Sequence, residues 1–275
     1  MKISRENQNS EMPQAGSHSK VQKKNNRRRL QLFFIVVLLI SLLGLGLYAW
    51  RSYQQVKSHN QLKKDVLFGT EYDSEMVTML DTFDVDFETL KQKNPDAYAW
   101  IRIPGTKVDG PVMQNQEDTD YYLNHTFEGK KGLPGAIYTR NDTPKDFSAP
   151  CSVLYGHNMK NGMMFGTLKK FKDKEIFDDE GYRNIQILTE DALREYTIFA
   201  AVEHSDAVIT DEYDFTTKSG MQGFLQSLQQ GRGYYDSDVK VDENSHIVVL
   251  STCVGGGRNT VRYLVVGVLE WEERL

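Results

Sequence analysis

Cysteine is scarce in this chain of 275 residues, which holds only Cys151 and Cys253. Two cysteines cannot build the multi-bridge framework of a small disulfide-stapled domain, although a single bridge between them is possible outside the cell. No Cys-x-x-Cys pair or Cys/His cluster has the spacing of zinc ligands. The cysteine content therefore excludes a disulfide scaffold and a zinc module.

An excess of positive charge is also absent. The formal net charge is −5, from 33 Lys and Arg residues against 38 Asp and Glu residues, and this balance predicts no nucleic-acid binding. Basic residues are nevertheless concentrated in residues 20–29 (KVQKKNNRRR). The rest of the chain is therefore more acidic than the total indicates.

Charged residues are missing altogether from residues 30–50 (LQLFFIVVLLISLLGLGLYAW). A helix of this length spans roughly 30 Å, the thickness of the hydrocarbon core of a bilayer. Tyr48 and Trp50 stand at its end, where aromatic residues of the membrane interface are enriched. The segment therefore predicts one transmembrane helix.

The basic cluster before this helix predicts its orientation. The positive-inside rule places residues 1–29 in the cytoplasm and everything beyond about residue 51 outside the cell. The alternative is a cleaved signal peptide, but the apolar region of such a peptide is usually about 7–15 residues long. LYAWRSY is also a poor cleavage site, so an uncleaved single-pass anchor in the cell membrane is favoured.

Composition divides the chain into four parts. Residues 1–29 are polar and rich in Asn, Gln, Ser and Lys, which predicts a disordered cytoplasmic tail. The anchor at residues 30–50 is followed by a stalk or linker at residues 51–80. Residues 81–275 form the external functional domain, whose substrates are expected at or near the membrane surface.

The external domain is predicted to consist mainly of short strands. Eight segments rich in β-branched and aromatic residues predict strands at residues 99–105, 110–114, 135–140, 151–157, 183–189, 194–204, 246–252 and 261–271. Clusters of Gly, Pro, Asn and Asp separate them. Many short strands with few helices favour a closed β-barrel or a sandwich.

Two helices are predicted in this domain. A short one is capped by Asp86 and stops before Pro95. The second lies in residues 216–231 (TTKSGMQGFLQSLQQG), where Phe224 and Leu228 share a face.

Cys253 stands where a strand ends, directly before the sequence VGGG. Its thiol is therefore expected at a loop edge, whereas Cys151 begins an apolar strand and is expected to be a buried small residue. A reactive thiol needs nearby positive charge, because that charge favours the thiolate. Arg258 and Arg262 are both close in sequence.

His157 and Arg262 are the other candidates for chemistry. His157 follows an apolar strand and a glycine, whereas the other histidines fall in the tail, the stalk, a polar loop or exposed strand ends. A single histidine is more often structural than catalytic. Arg262 lies on a strand, where an unpaired buried charge is costly. It either forms a surface ion pair or acts as an electrostatic donor to a developing oxyanion.

Several segments resemble those of the sortases, and of class B sortases in particular. LSTC at the end of a strand, with an arginine nine residues later, is similar to the cysteine and arginine signature of the family. YGHNMKNGMMF resembles the catalytic-histidine segment of class B, and residues 94–114 and 120–142 resemble its N-terminal signature. The helix near residues 221–230 matches the class B insertion. The resemblance covers about residues 80–275.

The resemblance implies an eight-stranded sortase-type β-barrel with an N-terminal helical region and a helix before the penultimate strand. It implies a cysteine transpeptidase that cleaves a sorting motif after a threonine, forms a thioester on Cys253 and transfers the acyl group to an amine. His157 would act as acid and base, and Arg262 would stabilise the substrate carbonyls and the oxyanion. This mechanism needs no metal and no cofactor. Because thiolate and imidazolium must coexist, it predicts a bell-shaped pH profile.

The resemblance also implies partners. These are surface proteins that bear a sorting motif, and an amine from a peptidoglycan precursor or from a pilin lysine. Ser251, Thr252 and Tyr155 are expected to line the substrate groove. Arg262 is preferred to Arg258 because it begins a strand, whereas Arg258 lies in the glycine loop.

A few positions depart from the pattern of the family. VGGG follows the cysteine where relatives often have polar or acidic residues, and Gly110 stands where an aromatic residue is common. These differences bear on substrate preference more than on catalysis.

Two other functions fit parts of the sequence. A plain cysteine hydrolase would use the same cysteine and histidine and would pass the acyl group to water. A membrane-anchored adhesion or scaffold module on a β-barrel would have no use for the set of cysteine, histidine and arginine.

Overall fold

The computed structural model describes residues 17–68, 84–253 and 260–275, with side chains from residue 29 onward. The predicted loop at residues 255–257 and Arg258 lie outside the described residues, as does most of the predicted tail. The chain divides into two compact units, Met1–Gln54 and Gln55–Leu275.

The first unit contains most of a long helix, α1 (Ser17–Val66). Its part Arg29–Val66 is long and apolar enough to cross a membrane. The large apolar side chains from Leu30 to Trp50 are exposed, as a segment in contact with lipid requires. Helical structure therefore runs unbroken through the predicted anchor and into the predicted stalk, and its start at Ser17 lies inside the segment predicted as a disordered tail.

The second unit is mainly β-structure. Its strands, in chain order, are β1 (Leu67–Phe68), β2 (Asp84–Val85), β3 (Ala97–Arg102), β4 (Asp109–Met113), β5 (Ile137–Thr139), β6 (Cys151–Tyr155), β7 (Asn184–Thr189), β8 (Ala192–Ser205), β9 (Arg232–Tyr235), β10 (Ile247–Cys253) and β11 (Val261–Arg274). The shorter helices are α2 (Phe87–Lys93), α3 (Lys174–Asp178), α4 (Ile209–Glu212) and α5 (Lys218–Gln230), with 3-10 turns at Tyr121–Leu123, Leu168–Lys172 and Glu180–Tyr182.

Eight of the strands close into a barrel. Their order is β11-β10-β6-β5-β4-β3-β7-β8, and β8 pairs with β11 to close the ring. These are the eight strands that the sequence predicts, so the predicted eight-stranded barrel is confirmed. The short strand β9 adds to β8 outside the ring, and β1 pairs with β2 in a separate ribbon.

Side chains of the barrel strands alternate between an inner and an outer cluster. On β10, Val248 and Leu250 pack inside the barrel, whereas Ile247 and Val249 face outward toward α5. Successive residues of a strand point to opposite faces, so this alternation determines which face each residue at the end of β10 joins.

Both predicted helices of the external domain form. Asp86 caps α2 by accepting a hydrogen bond from the Thr89 backbone N–H at 2.8 Å. Helix α5, capped by Thr217, precedes β9 and β10 and buries one apolar face, made by Met221, Phe224, Leu225 and Leu228. This face covers the outer side of the barrel.

The last turns of α1 are tied to the barrel by buried charge. Lys63 Nζ lies 2.5 Å from Asp109 Oδ2, and the two side chains are only 13% and 8% exposed. Trp100 Nε1 donates to Asp109 Oδ1 at 2.8 Å, and Arg102 Nε lies 3.5 Å from the same oxygen. Burial alone would raise the pKa of Asp109, but Lys63 and Arg102 hold that pKa below its ordinary value.

Candidate active site

Cys253 is the last residue of β10. The apolar run Ile247–Leu250 drives this strand into the sheet, where all four side chains are buried. Cys253 has the same parity as Val249 and Ser251, so its thiol points to the outer face of the barrel. The side chain of Cys253 is only half-buried, which leaves the thiol accessible where the strand ends.

Arg262 is directly opposite Cys253 in the antiparallel pair of β10 and β11. Side chains of directly opposed residues lie on the same face of a sheet, with Cβ atoms roughly 4.5–5.5 Å apart. The guanidinium of Arg262 therefore shares the outer face with the thiol of Cys253. This register places a permanent positive charge beside the candidate nucleophile.

His157 reaches the same region through the parallel pair of β6 and β10. Tyr155 is in register with Ser251, so His157 and Cys253 each lie two residues beyond the same rung. The backbone N–H of Gly156 continues the ladder by donating to the Ser251 carbonyl at 3.2 Å. Two segments that are about a hundred residues apart in sequence thus run side by side at one end of the barrel.

The imidazole of His157 is oriented by a backbone carbonyl. Its Nε2 lies 2.7 Å from the Leu123 carbonyl oxygen. A carbonyl can only accept, so Nε2 carries the hydrogen and Nδ1 is the nitrogen left to exchange a proton in the neutral ring. Gly135 permits this packing, because a Cβ there would lie 2.7 Å from the Tyr122 carbonyl and 3.1 Å from the His157 ring, at a φ of +67°.

Asn158 directly connects the histidine segment to the cysteine. Its Nδ2 donates to the backbone carbonyl of Cys253 at 2.9 Å. Neither Asn158 nor Leu123 is among the site residues that the sequence predicts. Leu123 acts through its backbone carbonyl, so no side-chain pattern could reveal it. Asn158 could be noticed only as the polar neighbour of His157.

The predicted groove residues divide between two faces. Ser251 and Tyr155 have the parity of Cys253 and lie on the outer face, and the ring of Tyr155 packs against that of Tyr138 with centroids 5.5 Å apart. Burial raises the pKa of the Tyr155 phenol. Thr252 has the opposite parity and is only 4% exposed, so the structure does not bring its side chain together with the thiol of Cys253.

Cys151 occupies a contrasting environment at the start of β6. It is buried in the outer cluster under α5, and burial raises the pKa of its thiol. Both cysteines are free thiols. Cys151 therefore packs as the small core residue that the sequence predicts.

The set of Cys253, His157 and Arg262 can perform acyl transfer. A thiolate attacks a carbonyl, an imidazole moves the proton, and a guanidinium stabilises charge on the carbonyl oxygen. Cys253 and Arg262 lie on the outer face at one end of the barrel, and His157 follows the strand paired beside them.

Comparison with known proteins gives consistent matches. The family model described as a sortase domain matches residues 101–270. The chain is 32% identical over 170 residues to sortase B of Listeria monocytogenes, an alignment that covers 61% of this chain and 67% of the relative.

Solved structures match over a similar region. Sortase B from Bacillus anthracis in complex with AAEK2 superposes with a TM-score of 0.63 at 26% identity, covering 79% of this chain and 96% of that one. A sortase B–substrate complex from Staphylococcus aureus superposes with a TM-score of 0.59 at 26% identity, covering 67% and 84%.

Proposed function

Because the chain belongs to the sortase family, as a class B member, we propose that Cys253, His157 and Arg262 are the groups that catalyse its transpeptidation. Sortases are cysteine transpeptidases, and this protein is one of them. The observation that supports the assignment most strongly is the register of β10, which sets Cys253 opposite Arg262 and pairs Ser251 with Tyr155, two residues before His157.

In the first half-reaction, the Cys253 thiolate attacks the carbonyl carbon of a threonine in a sorting motif. The carbonyl π electrons move to oxygen, where Arg262 donates hydrogen bonds to the oxyanion. When the tetrahedral intermediate collapses, the C–N bond breaks and the His157 imidazolium gives its proton to the leaving amine. The products are a thioester on Cys253 and a neutral His157.

In the second half-reaction, an amine attacks the thioester carbonyl. His157 takes a proton from the attacking nitrogen through the same ring nitrogen. Collapse forms the new amide bond and releases the Cys253 thiolate, so the enzyme returns to its starting charge state. The bond between His157 Nε2 and the Leu123 carbonyl holds the ring in one orientation through both steps.

The proposed substrates follow from the resemblance of the site to its relatives. A relative from Staphylococcus aureus has been solved as a sortase B–substrate complex, and we assign to this chain the class of surface proteins that carry a sorting motif. The acyl acceptor is a primary amine of a peptidoglycan precursor or of a pilin lysine. Ser251 and Tyr155 lie on the face of Cys253, and of the two only Tyr155 is partly exposed and can contact the sorting peptide.

The same proposal includes the membrane. Helix Arg29–Val66 is long and apolar enough to span a bilayer, and the basic residues before it support a cytoplasmic N-terminus. Anchored in this way, the barrel is external and meets its substrates at the membrane surface.

One experiment tests both reaction and location. A library of peptides with a central threonine is incubated with the purified full chain in detergent and, separately, with intact cells that produce it, with and without triglycine or diaminopimelate. We expect mass spectrometry to find amide products in both samples, and the amine to accelerate turnover. Turnover unaffected by amines would instead indicate a cysteine hydrolase, and processing only after permeabilisation would contradict the external location.

Arg262→Ala is expected to lower kcat/KM by about 100-fold, because one preformed donor to the oxyanion is lost. Arg262→Lys should recover only part of this loss, since an ammonium lacks the planar fork of the guanidinium. The matched control is Arg258→Ala, expected to stay within about twofold of wild type. Loss of activity in Arg258→Ala together with retention in Arg262→Ala would overturn the assignment.

A further inference from the structure

The two segments that carry the proposed nucleophile and acid-base group are joined by one side chain. Asn158 Nδ2 donates to the Cys253 carbonyl at 2.9 Å. Asn158 is half-buried and immediately follows His157, so this bond joins the neighbour of one catalytic residue to the backbone of the other.

This bond begins where the strand ladder stops. Strands β6 and β10 pair in register only as far as Tyr155 and Ser251. After that rung the chain turns away from the sheet at Gly156, where a Cβ would lie 2.8 Å from the Phe165 ring. Beyond the bond from the Gly156 N–H to the Ser251 carbonyl, the side chain of Asn158 supplies the next hydrogen bond to β10.

The backbone that carries Asn158 is itself held in place by its own loop. The backbone N–H groups of Met159 and Phe165 both donate to the His157 carbonyl at 3.1 Å, and Asn158 forms an isolated bridge with Met164. A donor fixed in this way determines where the Cys253 carbonyl can lie. It therefore restricts the ψ angle of Cys253 and the direction in which β10 ends.

We propose that Asn158 is a positioning residue for acyl transfer, which sets the separation between the Cys253 thiol and the His157 imidazole through its bond to the Cys253 carbonyl. The inference rests on the function proposed above. Asn158 bonds to the backbone of Cys253 rather than to its thiol, so its loss should slow the chemical steps while leaving peptide binding nearly intact. A misplacement of about 1 Å between reacting groups can lower a rate by about 100-fold.

The test compares four full-length proteins: wild type, Asn158→Ala, Asn158→Asp and Asn161→Ala. Asn158→Asp keeps the shape of the side chain and removes the donor. Asn161→Ala is the matched control, because Asn161 is an asparagine of the same loop whose side chain accepts a hydrogen bond from the Met163 backbone N–H. Steady-state kcat and KM for a sorting peptide are measured at saturating amine, with active sites counted by alkylation of Cys253.

We expect kcat to fall about 30- to 100-fold in both Asn158 variants, with KM within about twofold of wild type and Asn161→Ala nearly unchanged. The positioning role would be overturned if either Asn158 variant kept the kcat of wild type. It would also be overturned if the Asn158 variants raised KM without lowering kcat, or if Asn161→Ala lowered kcat as much as they do. The proposed function fails in a different way, by the absence of Cys253-dependent transfer in wild type, and the positioning role then fails with it.

Discussion

Replacing Cys253 by alanine is expected to abolish both thioester formation and amide transfer, whereas the same change at Cys151 leaves both within about twofold. Only Cys253 has a half-exposed thiol directly opposite an arginine, and a reactive cysteine needs access and positive charge together. The thiol of Cys151 is buried under α5, and burial raises its pKa. Intact-mass measurement of the acyl-enzyme, formed with sorting peptide in the absence of amine, checks the prediction directly.

The two cysteines form a matched pair for this experiment. Each substitution removes one sulfur atom from a strand of the same sheet. The activities of the two variants are compared at equal folded fraction, which thermal unfolding measures. A covalent adduct on the Cys253→Ala protein, or loss of the adduct in Cys151→Ala at normal stability, would show that the nucleophile is misassigned. His157→Ala is expected to form little acyl-enzyme, because leaving-group protonation is lost while the thiol remains.

The eight strands of the barrel could be predicted from local sequence because each of them carries its own signal, whereas the choice of a barrel over a sandwich came from the family resemblance. The segment from Ile247 to Leu250 is apolar throughout, and strand β11 continues as a long apolar run after Arg262. Strand β9 carries no such signal: it is four residues long, includes Gly233 and has no buried side chain. It forms because the edge of β8 is available to pair with it, and this is a tertiary effect that a local pattern does not contain.

Less of the active site could be predicted from local sequence, because the site depends on the register between strands. No local pattern predicts that β6 lies parallel to β10 with Tyr155 opposite Ser251. The prediction that His157 acts together with Cys253 depends on the family resemblance. The alternation of side chains between the two faces of β10, however, can be predicted from the sequence. It predicts that the side chain of Thr252 lies on the face opposite that of Cys253.

The buried charge cluster at Asp109 should dominate the stability of the second unit. Asp109→Asn is expected to lower the free energy of unfolding by about 3–5 kcal/mol, because the buried carboxylate that pairs with Lys63 and Arg102 is lost. For a unit of this size, such a loss corresponds to a fall in Tm of roughly 10 °C. Unfolding of the full chain in detergent, followed by tryptophan fluorescence, measures the change.

The control is an ion pair of the same length on the surface. Lys91 Nζ and Glu190 Oε2 are also 2.5 Å apart, but their side chains are 40% and 50% exposed, compared with 13% and 8% for Lys63 and Asp109. Glu190→Gln is therefore expected to cost no more than about 1 kcal/mol, because water screens the exposed pair. If both variants lost the same free energy of unfolding, the burial of Asp109 would not determine how much its ion pair contributes to stability.

The pH dependence separates the charge of Asp109 from its shape. Its pKa in the folded protein lies below the ordinary value of 3.8, so its ionisation stabilises the fold above about pH 4, and this stabilisation is lost as the pH falls through the lower folded-state pKa. The difference in stability between wild type and Asp109→Asn should therefore be constant near neutral pH and narrow below about pH 4. A difference that stays constant down to pH 2.5 would attribute the cost to altered hydrogen bonding with Trp100 rather than to lost charge, since only the charged form pairs with Lys63 and Arg102.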